Sequence, residues 1–208
     1  SGGGTMQKSE VIVWDIPTKV RRLEFDGPPL TVNGVAFSPD GRRIAAAGTG
    51  TTAGGQAALE VRVWDIDQSP RVVNRTLKFA PTLAGLLQLP KFSYATSVTF
   101  ANDADLLAIG CAAPAGGVAI WKIGEAKEQS LLPTDSPVWT VALVGQGDRL
   151  TAGELNGSLD VWSYPSCQLL GRTTLRADAP VYALAPGEGA QVYAAIAYKD
   201  TGAERYEV

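Results

Sequence analysis

A six-residue pattern recurs along this chain of 208 residues and constrains its fold more than any other feature. Residues 11–16 read Val-Ile-Val-Trp-Asp-Ile, and residues 61–66 read Val-Arg-Val-Trp-Asp-Ile. Weaker copies surround Trp121 and Trp162, so the four tryptophans are separated by 50, 57 and 41 residues. Recurrence at such intervals is typical of stacked supersecondary units, and it predicts a repeat protein that holds other molecules rather than transforms them.

A second landmark precedes the tryptophans and supports the same period. Residues 32–37 form a short apolar segment that ends in Ser38-Pro39-Asp40-Gly41, a sequence typical of a tight turn. Similar apolar segments, each followed by a turn and a second strand rich in small residues, occur at 97–110, 140–153 and 183–197. Small side chains allow close approach between sheets, so we expect these second strands to be buried between neighbouring units.

These residues resemble the WD-repeat β-propeller family over nearly the whole chain. The resemblance is carried by Ser-Pro-Asp-Gly at 38–41 and by the Trp-Asp pairs at 14–15 and 64–65. It implies an all-β fold, a β-propeller of four-stranded antiparallel blades with about four to five blades represented.

The chain departs from the family pattern because it contains no histidine. The family's Gly-His element is therefore missing, and the hydrogen-bonded tetrad built on that histidine cannot form. Asn156 and Asp200 occupy the turn position at which the family often has an aspartate. The blades are accordingly interpreted as degenerate.

The repeats divide the chain into five units after a linker or expression remnant at 1–9. The predicted units are a partial blade at 10–25, blades at 30–80, 95–133 and 138–176, and a partial blade at 181–208. A closed propeller needs whole blades of four strands, and two incomplete units do not provide them. The chain is therefore a segment of a larger propeller, a small ring that closes on itself, or a ring completed by a second chain; the first interpretation is favoured.

Loop lengths predict which face of the array binds partners. Gly48–Leu59 and Cys111–Gly117 are predicted as long loops between the second and third strands of their blades, and Ala80–Tyr94 as a long connection between blades. All three would emerge on one face, and insertions on one face of a repeat array usually mark its binding face.

The connection over Ala80–Tyr94 is unusually apolar for a solvated loop. Leu86, Leu87 and Phe92 are among its apolar residues. They either fold onto their own blades or form a docking surface, since exposed apolar patches tend to be contact sites.

The resemblance also implies a partner-binding patch at the start of the first strand of each blade. Alignment with Asn33 gives Thr96, Trp139 and Tyr182, and Tyr94 lies beside them. Trp and Tyr are enriched among binding hot spots, although Trp139 and Tyr182 could instead pack between blades. Glu154, Lys199 and Asp200, predicted in loops between second and third strands, could add polar contacts at the same rim.

Composition disfavours the other functional classes. Without histidine, neither a Ser-His-Asp system nor a histidine metal site can form, and no phosphate-binding Gly-rich motif is present. The net charge of −3 and the scattered basic residues disfavour direct binding of nucleic acid. No apolar run approaches the roughly 20 residues of a membrane span. Two cysteines without a scaffold pattern, and no visible signal peptide, predict a cytoplasmic location.

The expected function is therefore non-catalytic, with no cofactor and no metal. The leading hypothesis is a scaffold or sensor module that binds a protein or peptide through the face carrying the long loops. The alternative is a structural segment whose open blade edges pair with another chain, or with another part of a parent protein, to complete a ring.

Overall fold

The computed structural model shows an array of antiparallel β-sheets. The described residues are 9–28, 30–51, 55, 57–66, 75–78, 94–112, 116–123, 130–189, 191–200 and 203–207. They contain seventeen strands and no helix, which confirms the all-β prediction. Accordingly, no helix long and apolar enough to cross a membrane occurs among them.

The strands form five sheets in chain order, each strand pairing with the next. The first sheet holds β1 (Glu10–Asp15) and β2 (Val20–Asp26). The second holds β3 (Thr31–Phe37), β4 (Arg43–Thr51), β5 (Ala57–Asp65) and β6 (Arg75–Lys78). The third holds β7 (Tyr94–Phe100), β8 (Leu106–Ala112), β9 (Gly117–Lys122) and β10 (Ser130–Pro133). The fourth holds β11 (Val138–Val144), β12 (Arg149–Glu154), β13 (Ser158–Ser163) and β14 (Leu169–Thr174). The fifth holds β15 (Val181–Pro186), β16 (Val192–Asp200) and β17 (Ala203–Glu207).

The sheets are stacked side by side with their first strands adjacent. β3 contacts β7, β7 contacts β11, and β11 contacts β15. Successive four-stranded antiparallel sheets whose first strands line one side are the arrangement of propeller blades. The fold class predicted from the repeats is thereby confirmed.

Apolar clusters between neighbouring sheets hold the array together. Ala45, Val61 and Val63 of the second sheet share one cluster with Val98 and Phe100 of the third. The repeated tryptophans Trp64, Trp121 and Trp162 are all at most 3% exposed. Burial of each such side chain stabilises the fold by roughly 1.5–3 kcal/mol.

The first repeat behaves differently from the others. Its tryptophan, Trp14, is 51% exposed. The hairpin β1–β2 instead packs Val11 and Phe25 onto Trp64 and Ala46 of the second sheet, with the Phe25 and Trp64 rings stacked at 5.0 Å. The hairpin therefore covers β4 and β5 of that sheet and, in its first strand, contacts this cluster through Val32.

One of the predicted long loops, Gly48–Leu59, is largely strand, because β4 and β5 pair as far as Thr51 and Ala57. The predicted extent of that loop was therefore wrong, since its Gly, Thr and Ala residues continue the ladder. The loop predicted over Cys111–Gly117 overlaps the strands only at its ends, where β8 ends at Ala112 and β9 begins at Gly117. The apolar part of the Ala80–Tyr94 connection lies outside the described residues.

Candidate functional site

Four of the predicted rim residues share one backbone feature, a β-bulge in the first strand of their sheet. The pairing with the second strand skips one residue in each case: Asn33 between Val32 and Gly34, Thr96 between Ala95 and Ser97, Trp139 between Val138 and Thr140, and Tyr182 between Val181 and Ala183. A bulge leaves its extra residue out of the ladder and redirects its side chain. We call Asn33, Thr96, Trp139 and Tyr182 the bulge row.

The first two members of the bulge row donate hydrogen bonds to the next sheet. Asn33 Nδ2 donates to the carbonyl oxygen of Ala95 at 2.7 Å. Thr96 Oγ1 lies 2.9 Å from the carbonyl oxygen of Val138 and 3.1 Å from that of Gly110. Ala95 and Val138 each precede the next bulge residue, so the two contacts repeat one geometry.

The last two members contact each other through their rings. The centroids of Trp139 and Tyr182 are 5.7 Å apart and their planes meet at 88°. This edge-to-face geometry is favourable for aromatic pairs. The bulge row thus connects neighbouring sheets from the second to the fifth.

The exposure of these residues determines what a partner can reach. Tyr182 is 47% exposed and Trp139 half-buried, while Asn33 is exposed and Thr96 half-buried. Tyr94 begins β7, two residues before the Thr96 bulge, and is 39% exposed. Three aromatic residues at one end of the first strands therefore present ring surface to solvent.

Glu154 differs from its predicted placement in an exposed loop. It is the last residue of β12, pairs with Val138, and is fully buried. Burial, and secondarily the negative charge of Asp160, raises the pKa of Glu154 to about 7. Neither of its carboxylate oxygens meets the geometry of a hydrogen bond with another described residue.

An ion pair that the sequence did not indicate, between a buried aspartate and a partly exposed arginine, lies beside Glu154. Asp160 is fully buried on β13, and Arg172 of β14 donates to both of its oxygens, from Nε and Nη2, at 2.6 Å each. Arg172 also contacts Asp135, which precedes β11. The cluster runs from the core to the surface of the fourth sheet, because the Asp160 side chain is fully buried while the side chains of Arg172 and Asp135 are 33% and 70% exposed.

The remaining predicted residues are only partly placed. Lys199 and Asp200 are the last two residues of β16 by backbone pairing, so they are not in a loop. Leu86, Leu87 and Phe92 lie outside the described residues. Asn156 occupies a turn, where its Oδ1 accepts from the Ser158 amide at 2.9 Å.

The described residues show no cluster suited to a metal ion. No group of three or more His, Cys, Asp or Glu side chains with that potential occurs in the described part of the chain. Cys111 is buried, which raises the pKa of its thiol to about 12.

Comparison with known proteins identifies the class of fold. The family model described as "WD domain, G-beta repeat" matches residues 19–53, which include β2, β3 and β4. The chain therefore carries a WD repeat, and its resemblance to WD-repeat β-propellers is confirmed. The comparison with curated proteins gave no match.

Solved structures support the same fold. The chain resembles the structure of Kuenenia stuttgartiensis hydrazine synthase, with a TM-score of 0.70, 14% identity and coverage of 92% of this chain. The chain spans 51% of that neighbour's length. At this identity the likeness shows the propeller-like fold alone, and hydrazine synthesis is an activity of that neighbour.

Proposed function

We propose that this chain is a non-catalytic binding module that holds a protein or peptide partner at the bulge-row end of its first strands. WD repeats generally mediate protein interactions as scaffolds. The observation that supports the proposal is the bulge in each of four first strands, which leaves one residue per blade outside the ladder at the same position. The same sequence position thus supplies a contact residue from four neighbouring blades.

The exposed aromatics are the main contact residues of the proposed surface. Asn33 and Thr96 already donate to the next sheet, so a partner gains less from them. Tyr94, Trp139 and Tyr182 keep ring surface toward solvent, and aromatic residues contribute strongly to binding hot spots. Leu86, Leu87 and Phe92 would widen the apolar part, and Lys199 would lie near its edge. A partner with apolar or aromatic anchors suits this surface better than nucleic acid or a membrane.

A panel of peptides selected on the wild-type chain tests this function. Peptides from a random phage-displayed library are measured by calorimetry against Tyr94→Ala, Tyr182→Ala and the matched control Leu170→Ala. Leu170 lies on β14 and is 58% exposed, away from the bulge row. We expect at least a tenfold loss of affinity in the tyrosine variants and none in the control. Peptides insensitive to both tyrosine variants would place the binding surface elsewhere and overturn the proposal.

The second candidate function is a structural segment whose open blades pair with another chain or with another part of a parent protein. It is favoured by apolar residues that stay exposed at both ends of the array, such as Phe37 at 54% and Tyr193 at 53%. Light scattering on a sizing column tests self-pairing: a mass above the 21.8 kDa of one chain supports it, and a monomer at all concentrations contradicts it.

A further inference from the structure

Glu154 and Asp160 place two carboxyl groups inside the contact between the third and fourth sheets. Glu154 lies two residues beyond Ala152 on β12, and Asp160 of β13 pairs with Ala152 in the ladder. Because alternate residues of a strand share a face, both acids lie on the face through which Ala152 packs against the third sheet. Both sheets have four strands, so this contact lies within the array rather than at one of its ends.

The same positions of the third sheet hold no charge. Counted from the bulge and along the ladders, the two acids and their arginine correspond, in strand order, to Cys111, Ala119 and Leu131. These three residues belong to, or pack against, the apolar cluster between the second and third sheets. The blade geometry therefore does not require charge at these positions, and the buried acids of the fourth sheet need another explanation.

Arg172 neutralises Asp160 but leaves Glu154 without a counter-ion of its own. Its guanidinium donates to both oxygens of Asp160 at 2.6 Å each and also contacts the exposed Asp135. The side chains that the third sheet contributes to this contact are apolar. The Ser136 amide favours an ionised Glu154, but to a smaller extent than burial and the charge of Asp160 oppose it. A proton on Glu154 removes this conflict, because burying a charge without a partner is costly.

Glu154 also adjoins the segment 134–137, which leads into β11. The next residue, Leu155, donates its amide to the carbonyl oxygen of Pro137 at 2.9 Å. Glu154 itself pairs with the residue immediately before the Trp139 bulge. Because Leu155 is 41% exposed, solvent reaches the chain directly beside this hydrogen bond. A Glu154 side chain that turns from the core toward water would therefore disturb the contact that holds the segment before Trp139.

We propose that Glu154 is a proton-dependent switch for this segment. With its proton, the carboxyl group stays buried and the hydrogen bond between Leu155 and Pro137 is closed. Without the proton, the carboxylate turns to water, the hydrogen bond opens and Trp139 loses its fixed place in the bulge row. The inference deepens the proposed function and rests on it in one respect, since Trp139 is one of the proposed contact residues. Partner binding at the bulge row is thereby regulated by pH.

The closed form is favoured at low pH. Burial, and secondarily the charge of Asp160, raises the pKa of Glu154 to about 7 in the closed form, whereas the ordinary value is 4.5. A group whose pKa is higher in the closed form favours that form fully below both values, and this preference is lost as the pH rises to about 7. Between pH 6 and pH 8 the ratio of open to closed chains should therefore increase about tenfold.

Hydrogen exchange of the Leu155 amide measures the opening without any partner. Its rate, divided by that of an unstructured amide at the same pH, should rise about tenfold from pH 6 to pH 8 in the wild type. Glu154→Gln keeps the shape of the side chain but cannot ionise, so its ratio should stay constant. The matched control Glu188→Gln should behave as the wild type does. A constant ratio in the wild type, a comparison that needs no variant, would overturn the switch.

Urea separates a local opening from unfolding of the whole chain. Low concentrations of urea should leave the exchange rate of the Leu155 amide unchanged, because a local opening exposes little surface. An exchange rate that rises with urea as steeply as the free energy of unfolding falls would mean that this amide exchanges only through global unfolding. That result would also overturn the switch.

Calorimetry connects the switch to partner binding. Peptides that lose affinity for Trp139→Ala, with a blocked N-terminus and no histidine, are measured at pH 6 and pH 8. We expect the wild type to bind more weakly at pH 8, by up to about tenfold, and Glu154→Gln to bind equally at both. Equal affinities in the wild type would overturn the regulation of this site. Peptides insensitive to Tyr94→Ala and Tyr182→Ala would instead overturn the proposed function, and the exchange rates would still decide whether the switch exists.

Discussion

The indole of Trp139 stands edge-on to the phenol ring of Tyr182, with centroids 5.7 Å apart, across the junction between the last two sheets. Both residues occupy the bulge of their strand. One contact therefore combines a structural role between blades with exposed ring surface at the rim. The two roles can be separated by measuring stability and binding on the same variants.

The ring contact predicts a measurable coupling between Trp139 and Tyr182. In a double-mutant cycle of Trp139→Ala and Tyr182→Ala, we expect a coupling free energy of about 0.5–1.5 kcal/mol. Urea unfolding of the four proteins measures it. The pair Tyr182→Ala and Val20→Ala serves as the control, because Val20 lies on β2 and should give additive losses. Additivity in the ring pair would show that the contact does not stabilise the fold.

The Thr96 hydroxyl predicts a hydrogen-bond contribution at the preceding junction. Thr96→Val keeps the side-chain shape but removes the donor to Val138, so we expect it to lower the free energy of unfolding by about 1 kcal/mol. Thr96→Ser keeps the hydroxyl, so its free energy of unfolding should fall by less. Chemical denaturation of both variants measures their free energies of unfolding. A serine variant less stable than the valine variant would contradict the prediction.

The turns and the repeat could be predicted from the sequence because their chemistry is local. Pro39, Asp40 and Gly41 form the expected turn, in which Gly41 has φ +69° and Asp40 Oδ1 accepts from the Arg42 amide at 3.0 Å. The burial of Trp64, Trp121 and Trp162 likewise follows from a strand position repeated in the three four-stranded sheets. Such features depend on residues near in sequence.

Features that depend on distant residues could not be predicted in the same way. Alignment located the bulge row, but the bulges themselves depend on the register between strands, and no residue type marks them. The prediction of a loop at Glu154 was wrong because its strand continues one residue further than the small-residue pattern suggests. The pairing of Arg172 with Asp160 is a cross-strand contact between β14 and β13 that only the register reveals.

The ion pair of the buried Asp160 with the partly exposed Arg172 predicts an asymmetry between single and double substitutions. Arg172→Met leaves a fully buried carboxylate without its main partner, and we expect a loss of about 3 kcal/mol. Asp160→Leu/Arg172→Met removes both charges and should be more stable than the single variant. Thermal and urea unfolding measure which of the two variants is more stable. A double variant less stable than Arg172→Met would mean that apolar residues cannot fill this site.

The raised pKa of Glu154 predicts that stability falls as the pH rises. In the folded chain its pKa is about 7, whereas an unperturbed glutamate has 4.5, so between these values the folded state holds a proton that the unfolded state has released. The free energy of unfolding should therefore decrease from about pH 4.5 to about pH 7 through this group, by up to about 3 kcal/mol. Glu154→Gln removes the titratable carboxyl group, so the unfolding midpoint should differ less between pH 5 and pH 8 than it does in the wild type. The exposed Glu188 provides the control, since Glu188→Gln should leave that difference unchanged. If Glu154→Gln keeps the full wild-type pH dependence, another group is responsible for it.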